Sequence, residues 1–363
     1  MRILLVANIN SSHTKKWALA LKNKKIELAL FSINSPKLND NWYEDFETVY
    51  FPETESENLV LKYVKLYRRL KKLIREFNPD LVHSHFITNY SLLALLVGSK
   101  KNIITAWGSD VFLFPKKNIL NRWIIEYNLK KADRIISTSH VMAKEISLYT
   151  TKSVTVIPFG IDFTMFPVKA DPQYAPGSEI CIGCFKKIES IYAPEILIDA
   201  FARSVKKLTE YKLRLIMAGD GSKLDEMKRL AKKLGVDSMI DFLGWVNSGE
   251  IPRLMKKIDM CIYLSRNESF GVSLVEAMAS KIPLIVTRTP GFIEVIGSND
   301  NALFVDFDNA EETADKITEL VLNTSKYHSM TENAYERAFE NYQLDKNIDQ
   351  QVEVYKKVIE GVY

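Results

Sequence analysis

The feature that most limits what this chain can become is a repeated alternation. Apolar, branched runs six to eight residues long are separated by helix-length amphipathic segments from one end to the other. The first half offers RILLVAN (2–8), IELALFSI (26–33), LVHSHF (81–86), NIITAW (102–107), RIISTS (134–139) and SVTVIPFG (153–160). Helical patterns lie between them over 13–23, 58–77, 119–131 and 140–149. The runs are apolar at consecutive positions rather than alternate ones, as strands are when helices cover both faces of a sheet. Such an alternation reads as a parallel, doubly wound sheet.

A segment rich in Pro and Gly, IPFGIDFTMFPVKADPQYAPGSE (157–179), interrupts the alternation. It then restarts with ICIGCF (180–185), LRLIMAG (213–219), MIDFLGW (239–245), MCIYLS (260–265), PLIVTR (283–288) and ALFVDF (302–307). The expected fold class is therefore α/β, with two Rossmann-like doubly wound domains, 1–165 and 166–340. The tail, helical over about 309–360, ends in a C-terminal helix (341–363) free to pack back on the first domain. A chain of 363 residues is long enough for both.

A hydrophobic content of 47% beside 26% charged residues excludes a disordered or fibrous chain. No apolar run reaches the ~20 residues a bilayer span needs, and MRILLVANIN is strand-like and too short for a leader. With only three cysteines, the expected compartment is the cytoplasm. CIGC (181–184) has no second pair, so two small strand residues explain it better than a metal or redox site. The net charge of +4 hides a split: residues 1–170 carry 25 Lys+Arg against 15 Asp+Glu, a net +10, and the remainder 24 against 30, a net −6. The basic half suits an anionic partner as well as it suits ordinary drift of surface charge. Residues 61–77, LKYVKLYRRLKKLIREF, form a basic amphipathic helix, either the wet face of a sheet-covering helix or a contact for anionic membrane.

Ligands of open α/β sheets sit at the carboxyl ends of the strands. There the second half has MAGDGS (217–222), FLGWVN (242–247) and YLSRNESFGVSLVEAMA (263–279). Gly219 and Gly221 permit close backbone approach, though Gly-Asp-Gly is also an ordinary turn. The first amides of the helix entered at Gly271 and Val272 are free donors beside a positive dipole end, suited to phosphate. Ser273, Glu276 and Ser280 make a polar stripe on an otherwise apolar helix. From the residues alone Glu276 is either a solvated side chain or a carboxylate for the vicinal hydroxyls of a ribose.

Glu268 and Glu276, set in ESFGVSLVEAMA with Ser269, Phe270, Gly271, Ala277, Met278 and Ala279, closely resemble the signature of family-4 retaining glycosyltransferases of the GT-B fold. The resemblance covers essentially the whole chain. It implies that Glu276 binds the nucleotide ribose, that Glu268 contacts the donor sugar, that Gly271 and Val272 hold the diphosphate, and that Gly244 and Val246 lie near the base. Gly219 belongs to the same donor set. The family's usual Arg is replaced by Cys184, so Lys186, with Lys187 in reserve, is expected to meet the phosphates, and no second cation is evident. TPGFIEVI (289–296) matches a Gly-Gly-x-x-Glu-Val segment with Pro290 in place of the first Gly.

In the first half, SSH (11–13) resembles the family's phosphate or acceptor loop, with Ser12 and His13 as acceptor contacts; an ordinary Ser N-cap is the other reading. DLVHSHF resembles its Asp-Val-Val-His-x-His segment, which makes His85 the residue beside the donor sugar. TAWGSDVF resembles its His-Gly-x-Asp segment with Trp107 for His, which leaves Asp110 as an acceptor contact. The implied activity is retaining transfer of a sugar from a UDP- or GDP-sugar to a glycan or lipid-linked hydroxyl, in surface polysaccharide or lipopolysaccharide assembly. Glu268 and His85 are the catalytic candidates. No cofactor, no metal and no nucleic acid are expected; an anionic membrane surface at the inner face stays one of the two readings of residues 61–77. A GT-B sugar-nucleotide epimerase and a non-enzymatic basic membrane-surface protein are the alternatives; the paired glutamates argue against the first and the ligand loops against the second.

Overall fold

The computed structural model describes residues 1–37, 41–53, 58–99, 101–169 and 174–362, without the side chains of 324–326. Two compact units divide the chain: Met1–Phe159 with Leu344–Tyr363, and Gly160–Gln343. The division falls at 159/160 and 343/344, where 165/166 and 340/341 were expected. The reason is local: Ile161 N–H donates to the Tyr342 carbonyl at 2.9 Å, which ties the 160s to the second unit. Of the Pro- and Gly-rich segment, 170–173 lie outside the described residues.

In the first unit the strands are β1 (Arg2–Val6), β2 (Glu27–Phe31), β3 (Thr48–Tyr50), β4 (Leu81–His85), β5 (Asn102–Ala106), β6 (Arg134–Ser137) and β7 (Val154–Val156). They pair in parallel in the order β3-β2-β1-β4-β5-β6-β7. The helices are α1 (Ser12–Asn23), α2 (Leu59–Phe77), α3 (Asn89–Val97), α4 (Ser109–Phe112), α5 (Ile119–Lys131) and α6 (His140–Ile146). α2 shows how sequence makes such a cover. Asn58 caps it, accepting from the amides of Val60 and Leu61, and Asn78 ends it with a left-handed φ of 43° before Pro79. Leu66, Leu70 and Phe77 go inward, onto a core with Leu4, Val6, Ala29 and Phe31.

In the second unit β8 (Glu179–Cys184), β9 (Lys212–Ala218), β10 (Ile240–Gly244), β11 (Met260–Tyr263), β12 (Leu284–Thr287) and β13 (Leu303–Val305) pair in parallel in the order β10-β9-β8-β11-β12-β13. α7 (Pro194–Lys207), α8 (Leu224–Leu234), α9 (Ile251–Met255), α10 (Val272–Ala279), α11 (Pro290–Ile296), α12 (Ala310–Leu322) and α13 (Thr324–Asn341) accompany them. The last helix, α14 (Leu344–Glu360), belongs to the first unit, where Ile348, Tyr355 and Val358 join the core under α1. Both sheets are thus parallel and doubly wound. Among the described residues no helix is long and apolar enough to cross a membrane. Cys181, Cys184 and Cys261 are buried free thiols of β8 and β11, and burial pushes Cys184 up to about 12.

Candidate functional site

In the second unit two loops at the carboxyl end of the sheet meet. β8 ends at Cys184 and turns through Phe185 to Lys186; β11 ends at Tyr263 and leads through Glu268 to α10. Lys186 Nζ donates to Glu268 Oε2 at 2.6 Å, with the two side chains 13% and 15% exposed. The ammonium also lies 5.2 Å from the ring centre of Tyr192, 5.5 Å from Phe292 and 5.9 Å from Tyr263. Each ring presents electron density to the cation. Burial works to lower the Lys186 pKa, but the Glu268 carboxylate outweighs it and holds the ammonium above its ordinary value. The result is a permanent, nearly dry positive charge at the mouth of α10.

Gly271 opens that helix with φ 104°, and a Cβ there would stand 2.8 Å from the Phe292 ring. The amides of Val272 and Ser273 then start a helix that offers them no acceptor of its own. Ser273 Oγ is buried with no hydrogen-bond partner among the described residues. Donors, dipole and fixed cation converge on one place, which suits a diphosphate.

The solvated-face alternative for Glu276 is excluded. Glu276 and Ser273 are each 8% exposed and Ser280 is fully buried, as are Leu274, Val275, Ala277, Met278 and Ala279. α10 is covered all round, so a carboxylate there must be held by hydrogen bonds. Gly219 and Gly221 are packed against backbone of the protein's own loop. A Cβ on Gly219 would lie 2.0 Å from the Lys186 carbonyl, and one on Gly221 would lie 2.2 Å from that of Ile188. The space the missing side chains leave is filled by the protein's own loop, not kept open for a ligand; these glycines seat Lys186. Gly244, with φ 65° after a bulge in β10, bridges to Gly219, and half-buried Val246 follows exposed Trp245. Lys187 is exposed and stands outside the aromatic cage. Pro290 costs nothing as the first residue of α11, where no intrahelical acceptor waits for its N–H, and Thr289 caps that turn.

In the first unit the ends of β4 and β5, the start of α1 and the residues after β7 gather aromatic rings. His13 stacks on Phe159 at 4.2 Å and meets Trp107 edge-on at 5.6 Å; His85 lies 4.5 Å from Trp107 and 4.7 Å from His83. Burial depresses the imidazoles, His13 to about 4 and His85 to about 3. Both are neutral at pH 7. His85 Nδ1 is buried with no hydrogen-bond partner among the described residues. His85 therefore suits hydrogen bonding to a hydroxyl better than proton abstraction at neutral pH. Ser11 is the N-cap of α1, accepting from the Thr14 amide at 3.4 Å, and Ser12 beside it is exposed.

Asp110 is not available to an acceptor. It is 1% exposed, and its oxygens accept from the amides of Ile87 at 2.9 Å, Gly108 at 2.8 Å and Trp107 at 3.2 Å. Burial raises its pKa against the pull of those amides. Its work is to fold the loop that carries Trp107.

A family model described as glycosyl transferases group 1 matches residues 171–337, and one described as glycosyl transferase 4-like matches residues 2–139. The chain belongs to the group 1 glycosyltransferases. N-acetyl-alpha-D-glucosaminyl L-malate synthase of Bacillus anthracis is 25% identical over 334 residues, covering 86% of this chain and 85% of that one. Alpha-monoglucosyldiacylglycerol synthase of Streptococcus pneumoniae is 23% identical over 374 residues, with 94% and 83% covered. Anabaena Alr3699/HepE, solved in complex with UDP-glucose, superposes with a TM-score of 0.82 at 17% identity over 98% of this chain and 100% of that one. That likeness establishes the GT-B fold for this glycosyltransferase.

The sequence does not mark Tyr192, Tyr263 and Phe292, whose rings surround Lys186, nor Ser273 at the start of α10, nor Phe159 beside His13, as site candidates. Tyr263 and Phe292 read as core aromatics in apolar runs, and only the Lys186 contact distinguishes them. Ser273 carried a signal, its place in the polar stripe. Among the described residues no three His, Cys, Asp or Glu side chains gather as a metal-binding group.

Proposed function

We propose that this glycosyltransferase takes its sugar from a UDP- or GDP-sugar and delivers it with retained configuration to a hydroxyl of a glycan or lipid-linked acceptor. The observation that carries the donor half is the caged Lys186–Glu268 pair at the N-terminus of α10. Lys186 and the amides after Gly271 neutralise the departing diphosphate, which is what a divalent ion would otherwise do. Glu276 holds the ribose. Glu268 sits next to the phosphate cation, where positive charge develops on the sugar carbon, and His85 offers a neutral imidazole to a sugar hydroxyl. The complex of Alr3699/HepE with UDP-glucose supports a UDP-sugar donor. The diacylglycerol-linked product in the name of the pneumococcal relative supports a lipid-linked acceptor.

A thermal-shift screen against UDP-, GDP- and ADP-sugars identifies the donor, since a bound ligand raises apparent stability by mass action. Proton NMR of the product then reads the anomeric configuration. Inverted product, or turnover that disappears in chelator and returns only with magnesium or manganese, refutes the mechanism.

A peripheral membrane location has its own observation. Leu59, Val60, Leu61 and Val64 at the start of α2 are 42–72% exposed, among Lys62, Lys65 and Arg68. Apolar side chains beside cations suit the anionic inner face of a membrane. Co-sedimentation with anionic vesicles and not with neutral ones is the expected result; equal binding to both, or none, removes this location.

A further inference from the structure

We propose that Tyr355 of α14 and His83 of β4 are positioning residues that brace His85 for its contact with substrate. The inference rests on the role assigned to His85 above.

His83 and His85 are two residues apart on one strand, so their rings stand on the same face of the sheet. Thr105 is the register partner of His85 on β5 and points to that face as well. His83 is held from both ends: its Nδ1 lies 2.6 Å from the Tyr355 hydroxyl and its Nε2 lies 2.6 Å from Thr105 Oγ1. All four side chains are buried, none more than 4% exposed. The protons can be assigned. The Tyr355 phenol is buried, His83 Nδ1 is the acceptor in reach at 2.6 Å, and a phenol that donates there satisfies both groups. Nδ1 therefore accepts, Nε2 carries the hydrogen, and Thr105 Oγ1 receives it. The opposite assignment orphans the phenol, the more acidic of the two hydroxyls and the better donor.

With its tautomer and tilt set in this way, His83 forms one wall against His85, edge to face at 4.7 Å. Trp107 forms the other at 4.5 Å. His85 Nδ1 takes no hydrogen bond of its own among the described residues, so packing between two fixed rings is what orients it. α14 thereby reaches the site from 272 residues away in sequence.

The test uses the full chain. In spectra of protein labelled with 15N-histidine, His83 reads as the Nε2–H tautomer, and Tyr355→Phe makes it a mixture. A His83 that is Nδ1–H or mixed in the wild type overturns the proton assignment and the brace with it. Activity is followed as UDP released from UDP-glucose, with melting temperature and UDP affinity measured on every variant. Tyr355→Phe is expected to lower kcat about tenfold, as a small misplacement of a substrate contact does, with KM and UDP affinity within about twofold. Thr105→Val reaches the same ring from its other nitrogen and should give the same split, which covers the case that Tyr355→Phe folds poorly. Added to His85→Gln, Tyr355→Phe should cost nothing further. Wild-type kcat in both brace variants, or a loss that persists in the His85→Gln background, overturns the proposal. If His85→Gln itself keeps wild-type kcat, the role of His85 falls first and the brace falls with it, a result distinct from the other two.

Discussion

Replacing Lys186 by Met tests the centre of the donor site, because the pair it belongs to has two separable jobs. In the free protein the ammonium is spent on Glu268 at 2.6 Å; under the function proposed above it also serves the diphosphate once donor is bound. Lys186→Met keeps most of the bulk inside the cage of Tyr192, Tyr263 and Phe292 but leaves Glu268, 15% exposed, without its counter-ion. A hydrogen bond to a charged group is worth about 1.5–3 kcal/mol, so losing the phosphate contact alone should weaken UDP binding about 10- to 150-fold. The orphaned carboxylate then repels the same diphosphate and pushes the loss toward the upper end of that range. Glu268→Gln does the opposite, releasing Lys186 while keeping the shape of the pair. UDP affinity should stay within about threefold while kcat falls about a hundredfold, since charge stabilisation of this kind is largely lost from the transition state. The double variant Lys186→Met/Glu268→Gln removes both charges and should bind UDP more tightly than Lys186→Met alone, by about tenfold, because no buried charge is left unpaired. Isothermal calorimetry with UDP, or with GDP if that is the nucleotide bound, on the wild type and three variants gives the full cycle. Wild-type affinity in Lys186→Met, or a double variant no better than Lys186→Met, refutes the assignment of this cation to the phosphates.

Glu276→Gln should raise donor KM about tenfold with kcat within about threefold, because a ribose contact is made equally in ground and transition states; initial-rate kinetics decide it, and unchanged KM refutes the ribose contact. Gly219→Ala puts a methyl 2.0 Å from the Lys186 carbonyl, so thermal denaturation should show a loss of about 1–3 kcal/mol and calorimetry a weaker nucleotide site; an unperturbed variant would mean that the loop is softer than its packing implies. The folded chain keeps His13 neutral down to about pH 4 and His85 down to about pH 3, whereas unfolded imidazoles bind protons near pH 6.5. Between these limits the unfolded state holds more protons, so stability falls as pH drops below about 6.5. The melting temperature of the wild type should therefore fall more between pH 7 and pH 5 than that of His13→Phe, and equal slopes would contradict the burial of this ring.

The sheets were legible because backbone pairing and covering helices on both faces demand an apolar residue at nearly every strand position. That demand is local, and twelve of the strands show it in their own letters. β3 (TVY) was not anticipated: three residues at a sheet edge bury too little to stand out. Nor was α3, whose NYSLLALLV is apolar on every side and carries no helical period. The paired glutamates were legible too, since eight positions and a Phe-Gly turn are a local pattern. Other properties of the site were not. Whether Glu276 faces water depends on what α10 packs against, and that is decided by the sheet below and by α13. Asp110 has the residue type and setting of a ligand contact in sequence, but its oxygens are taken by three amides, one of them 23 residues away. Lys186 and Glu268 lie 82 residues apart, and Gly219 is a glycine because a carbonyl from another loop passes over it. Sequence determined which elements form and which side chains carry charge, because these follow from neighbours along the chain. Burial, hydrogen-bond partners and shifted pKa values depend on neighbours in space, and only the tertiary structure decides them.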